Sequence, residues 1–194
     1  MSDDELFEAV RARVSAGRPT DELSDVTVPE PASLSTVEEV ERVVGLPLPP
    51  LVRRLYLEIA DGGIGPFRGM YALREEGSPS GMLTAYIEGL NAVLDPVDPP
   101  LLPAGVLFFC PLHEMSVVLL DVRHPEGQMW WWEEGDRHKL DLTFPQWLEA
   151  WLGGCLTEQF MESRKLKDES WVGDWATEDL PPSMLEPPDC AGAD

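Results

Sequence analysis

The sequence predicts an α+β fold, a mainly antiparallel sheet covered on one face by N-terminal and C-terminal helices. Three observations predict it. Amphipathic helix patterns with their own caps lie toward both ends of the chain. Between them run closely spaced segments rich in Val, Leu, Phe and Trp, separated by short turns. The order helices, then strands, then a helix favours one sheet covered on one side over alternating βα units.

Residues 2–16 read as the first helix: Ser2 and Glu5 form a capping box, Phe7, Val10 and Val14 line one face, and Gly17 with Pro19 end it. Residues 18–32 are polar, acidic and Pro-containing, a linker. The first helix then docks on the domain, caps a sheet edge or lies loose; its own residues do not choose. A second helix carries Val37, Val40 and Val44 on one stripe, with Ser35 and Glu38 as its capping box and Gly45 at its end. Pro49 and Pro50 open a third, which buries Leu51, Leu55 and Ile59 and stops at Asp61-Gly62-Gly63.

Met82 to Leu90 forms a short helix with Leu83, Tyr86, Ile87 and Leu90 on one face, and Asp95 to Pro100 is a loop because prolines donate to neither ladder nor helix. Strand patterns follow at Gly105–Cys110, Ser116–Val122, Gln128–Glu134 and Lys139–Leu142. The closing helix has a capping box from Thr143 and Gln146, Pro145 in its first turn, and a stripe of Phe144, Trp147, Leu148 and Trp151 before Gly153-Gly154. From Asp168 to Asp194 there are four prolines and no basic residue, a solvated tail in which Trp171 and Trp175 share an edge that folds back on the domain or meets a partner. The chain thus divides into an N-terminal helix and acidic linker (1–33), an α+β domain (34–156) and an acidic tail (157–194).

Several of these residues carry a family resemblance. Glu41, Val44-Gly45, Leu48-Pro49, Arg53 to Tyr56 and Asp61-Gly62-Gly63 appear in the order of the signature of the SUKH superfamily, which includes fungal cell-wall-synthesis regulators of the Smi–Knr type and bacterial immunity proteins. Gly65-Pro66-Phe67 and Gly69 to Leu73 resemble its Gly-rich segment. Leu120-Asp121, Pro125-Glu126-Gly127 and Met129 to Trp132 resemble its central hairpin, and Phe144 to Leu152 its closing helix. The likeness covers roughly residues 35–155. Asp61 stands where the family more often has Asn, and Phe109-Cys110 where bacterial relatives usually show Gly-Cys.

Thirty-six acidic residues face fourteen basic ones, a formal net charge of −22. That field repels nucleic acid and anionic lipid and favours a basic protein partner. Plain solubility is the competing explanation for such a charge. Three cysteines, Cys110, Cys155 and Cys190, form no regular spacing, which argues against a disulfide framework and for a reducing compartment. No signal-peptide pattern opens the chain and no apolar run is long enough to span a bilayer, so the expected address is the cytoplasm.

Chemistry is thinly marked. Cys110 and His113 have the spacing of half a zinc site, but neither His124, His138 nor Cys155 completes it. Asp61, Glu114, Asp121, Glu126, Glu133 and Glu134 are carboxylates that could share a rim, and nothing splits them into acid and base. No phosphate loop or nucleophile elbow is present. The expectation is a non-enzymatic protein with no cofactor and no metal.

Met129 to Glu133 is the most suggestive stretch. In a strand, Trp130 and Trp132 take one face while Met129, Trp131 and Glu133 take the other. Related sequences often place a polar residue where Trp131 stands, so Trp131 is assigned to the open face unless an appendage covers it. The expected partner-binding set is Trp131, Glu133, Glu134, Asp61 and Glu126. The resemblance implies a toxin-neutralising immunity protein, or alternatively a regulatory interaction or scaffold protein.

Overall fold

A computed structural model describes residues 1–21, 28–74, 81–91, 102–113, 116–133 and 136–166. Among the described residues the order is α1 (Asp3–Ser15), α2 (Leu34–Val44), α3 (Pro50–Glu58), α4 (Met82–Asn91), β1 (Val106–His113), β2 (Ser116–Asp121), β3 (Gln128–Glu133), β4 (Asp136–Thr143), α5 (Phe144–Leu152) and α6 (Glu158–Ser163). The four strands pair antiparallel in the order β1-β2-β3-β4. This is the α+β architecture the sequence predicts. Trp171, Trp175 and Cys190 lie outside the described residues.

Local chemistry explains most element ends. Ser2 N–H donates to Glu5 Oε2 at 2.8 Å and Glu5 N–H donates back to Ser2 Oγ, closing the box that starts α1. Gly45 ends α2 with φ 80°, a value that costs glycine little. The start of α2 differs from expectation: Ser33, not Ser35, is the cap, its Oγ accepting Thr36 N–H at 3.1 Å. Gln146 Oε1 accepts Thr143 N–H at 2.9 Å at the start of α5. Gly62 is required by close approach as well as by its φ of 81°, since a Cβ there would lie 2.5 Å from the backbone nitrogen of Ala72.

One large apolar core lies between the helices and one face of the sheet. Val37, Val40 and Val44 enter it from α2, Leu51, Val52, Leu55 and Tyr56 from α3, and Phe144, Trp147, Leu148 and Trp151 from α5. Ile59, expected in that stripe, is only partly buried. α1 docks on α3 and α5, and its Leu6, Phe7 and Val10 are 0–1 % exposed within the same core. Docking is therefore the outcome among the three the sequence left open. The other sheet face holds a smaller cluster of Leu102, Val106, Leu119 and Trp130, with Phe108, Val117 and Trp132 packed on it half-buried.

Cys110 is a free thiol, fully buried in β1, where desolvation pushes its pKa well up. Cys155 is buried just after α5.

Candidate functional site

The register of β3 decides what its tryptophans do. Val118 faces Trp131 across the β2–β3 ladder, and Val117 and Leu119 face Trp132 and Trp130. The alternation is as expected, with Trp130 and Trp132 on one face and Trp131 on the other. The assignment of faces is not. Trp131 points into the main core and is 3 % exposed.

Two neighbours account for that burial. The Trp131 indole N–H donates to Ser116 Oγ at 2.6 Å, and Lys165 Nζ sits 4.2 Å from the ring centroid. Lys165 is held in place by the chain leaving α6, which lies along β4: Lys165 bridges Leu140, Asp141 N–H donates to Arg164 O, and Leu166 N–H donates to Lys139 O. Its ammonium also pairs with Glu162 and, at 3.8 Å, with Glu133. His138, opposite Trp131 on β4, has its pKa lowered by burial and by the Lys165 charge. Trp131 is thus a core residue under a cationic lid, and the expectation that it stands on the open face is corrected.

The acidic members of the expected set do not come together. Glu133 is half-exposed at the end of β3, opposite Asp136 of β4, and Glu134 lies outside the described residues. Glu126 is exposed in the turn at the opposite end of β2 and β3, roughly 20 Å away for a six-residue strand. Asp61 sits in the turn after α3, where its Oδ1 accepts Leu73 N–H at 2.8 Å. Asp121, another carboxylate considered for a rim, is fully buried and bidentate to Arg123. Cys110 is buried while His113 is exposed, so the half-site spacing does not converge. Among the described residues no group of three or more His, Cys, Asp and Glu is placed to hold a metal.

Asp61 supports a pH prediction. Burial raises its pKa, and the Leu73 N–H bond opposes that rise only in part. A carboxyl with a folded pKa above its unfolded value holds its proton more tightly in the native state, so stability falls as pH climbs from about 4 through the folded pKa. Asp61→Asn keeps an oxygen for Leu73 N–H and removes the charge. It is expected to raise the melting temperature at pH 7 and leave it nearly unchanged at pH 4; equal shifts at both pH values would contradict this account.

What the structure does present is a patch on the opposite sheet face. Phe108 of β1 and Trp132 of β3 stack with centroids 5.1 Å apart. On β2, Val117 faces Trp132 and Leu119 faces Phe108, and the Arg137 guanidinium is 5.9 Å from the Trp132 ring. Phe108, Val117 and Trp132 pack, partly buried, on the small cluster beneath. α4 borders the patch at Gly89, which comes so near Leu102 and Phe108 that a Cβ would lie 2.8 Å from Leu102 Cδ1. Sequence reasoning passed over Phe108, Val117 and Trp132, although the tryptophan alternation marks Trp132 as the alternative to Trp131.

A family model for the SMI1 / KNR4 family (SUKH-1) matches residues 31–150, from just before α2 into α5. No curated protein and no solved structure matches the chain.

Proposed function

The chain belongs to the SMI1 / KNR4 family (SUKH-1), and from that premise we propose that it is a non-enzymatic protein-binding module, an immunity protein that neutralises a bacterial toxin by direct binding in the cytoplasm. The observation that carries this reading is the half-exposed Phe108–Trp132 stack on the sheet face away from the main core. Rigid aromatic side chains on strands offer contact area at little entropic cost, and such residues dominate binding energies at interfaces. The net charge of −22 supplies the second element: it steers a basic partner inward and sets the association rate, while the aromatic stack sets the lifetime of the complex. The same field disfavours nucleic acid and anionic membranes as partners. No described helix is long and apolar enough to cross a membrane.

The regulatory or scaffold reading uses the N-terminal helix and the acidic tail as docking elements. The apolar face of α1 is already occupied by the core, which removes the first of these two elements. The test begins with co-purification at low and high salt and identification of the bound protein. With that partner purified, Trp132→Ala is expected to weaken binding by about 2 kcal/mol, roughly thirty-fold, chiefly through faster dissociation. Unchanged affinity would remove this face from the interface.

A further inference from the structure

We propose that the cleft between α1 and α5 is a binding site for a small carboxylate with an apolar body, its charge held by Arg18 and its chain lying along Ala9, Ala12 and Leu152. The cleft has a volume of about 610 Å³, within the range of pockets that take small organic ligands. It lies on the helical side of the sheet, away from the Phe108–Trp132 stack, and all of its wall except Glu149 comes from outside the span that the family model matches. It is therefore a site separate from the proposed partner-binding face.

Charge indicates the ligand. In a chain of net charge −22, two arginines line this cleft. The carboxylate beside them, Glu149, is already paired with the Met1 amine at 2.9 Å. Arg13 is held in place: its Nη2 is 2.9 Å from Asp21, and its guanidinium lies 4.5 Å from the centre of the Trp151 ring. Its Nε–H is buried with no acceptor among the described residues, a cost that a ligand acceptor would relieve.

Arg18 is exposed and makes no ion pair among the described residues, yet its backbone is pinned on both sides. Gly17 N–H donates to Val14 O at 2.9 Å and Arg18 N–H to Arg13 O at 3.1 Å, the paired bonds of a Schellman end to α1, with Gly17 at φ 71°. Beyond it, Pro19 O accepts Gly65 N–H at 2.9 Å. An exposed guanidinium on a fixed backbone offers its paired N–H donors to a carboxylate at little cost in backbone order. Ala9, Ala12 and Leu152 bring alkyl surface and no polar side-chain atom. They suit a hydrocarbon body, which an inorganic anion would lack.

Octanoate, titrated into the isotopically labelled full chain and followed by backbone amide shifts, tests this. Shifts are expected from Ala9 to Arg18 and at Leu152 and Gly153. Octanol, which keeps the apolar body without the charge, is expected to bind about five-fold more weakly, and Arg18→Glu to weaken octanoate by at least that factor. Ala12→Trp, which fills the cleft from an exposed helix position, should abolish the response. Arg42→Glu, remote on α2, leaves it unchanged. Absence of shifts at the end of α1 under millimolar octanoate would overturn the proposal. So would equal affinity for octanoate in Arg18→Glu and the wild type, or equal affinity for octanoate and octanol.

Discussion

Phe7→Ala is expected to lower the free energy of unfolding by about 3–5 kcal/mol, read as a shifted midpoint in urea with little change in slope. The residue belongs to a helix outside the span that the family model matches, yet it is fully buried. Its ring is covered by two guanidinium groups, Arg54 at 3.8 Å and Arg11 at 4.5 Å. Arg54 in turn bonds Asp4 and Glu58, tying α1 to α3. Past the helix, Asp21 fastens the chain to the domain: its carboxylate accepts from Phe67 N–H, Trp151 Nε1–H and Arg13, and its own N–H donates to Phe67 O. Phe67 has φ 53°, a left-handed value that a non-glycine residue keeps only when its surroundings hold it. Val14→Ala, at a partly buried position on the same helix, should cost much less. A loss below about 1 kcal/mol for Phe7→Ala would mean that α1 unfolds separately from the domain.

What was legible in the sequence is what local chemistry determines. The capping boxes of α1 and α5 and the glycine end of α2 need only residues a few positions apart, and they are where the pattern puts them. The α2 start slipped because Ser33, Ser35 and Thr36 compete as caps; Ser33 bonds both of the others at 2.8 Å. β1 ran past its expected end through Pro111, tolerated because β1 is an edge strand of the sheet. The candidate site was legible in half. Period-two alternation separated Trp131 from Trp130 and Trp132, but which face is interior depends on helices far away in sequence. The decisive cover, Lys165 beyond α6, gives no pattern of its own. Asp61, Glu126 and Glu133 were grouped by charge alone, and charge carries no information about which end of a strand a residue occupies.

Trp131→Ala is expected to destabilise the protein by about 3–5 kcal/mol while leaving the affinity of the folded fraction for its partner unchanged. The side chain fills the core beneath β3, and truncation leaves a cavity between α5, the sheet and the segment after α6. It also takes the donor from Ser116 Oγ, which is buried, and the ring from beneath the Lys165 ammonium. Trp131→Phe separates these effects, because it keeps an aromatic ring under Lys165 and loses the N–H bond, at about 1 kcal/mol for that bond alone. Trp132→Ala should give the reverse pattern, a smaller stability loss from a half-buried position and the larger loss of binding. The pair forms a crossed experiment: urea unfolding ranks Trp131 above Trp132, and titration of the partner at temperatures where both variants are folded ranks them the other way. If Trp131→Ala stays stable and loses binding, the helix-facing side of the sheet must be accessible to the partner, and the lid formed by Lys165 and the chain after α6 would have to open on binding.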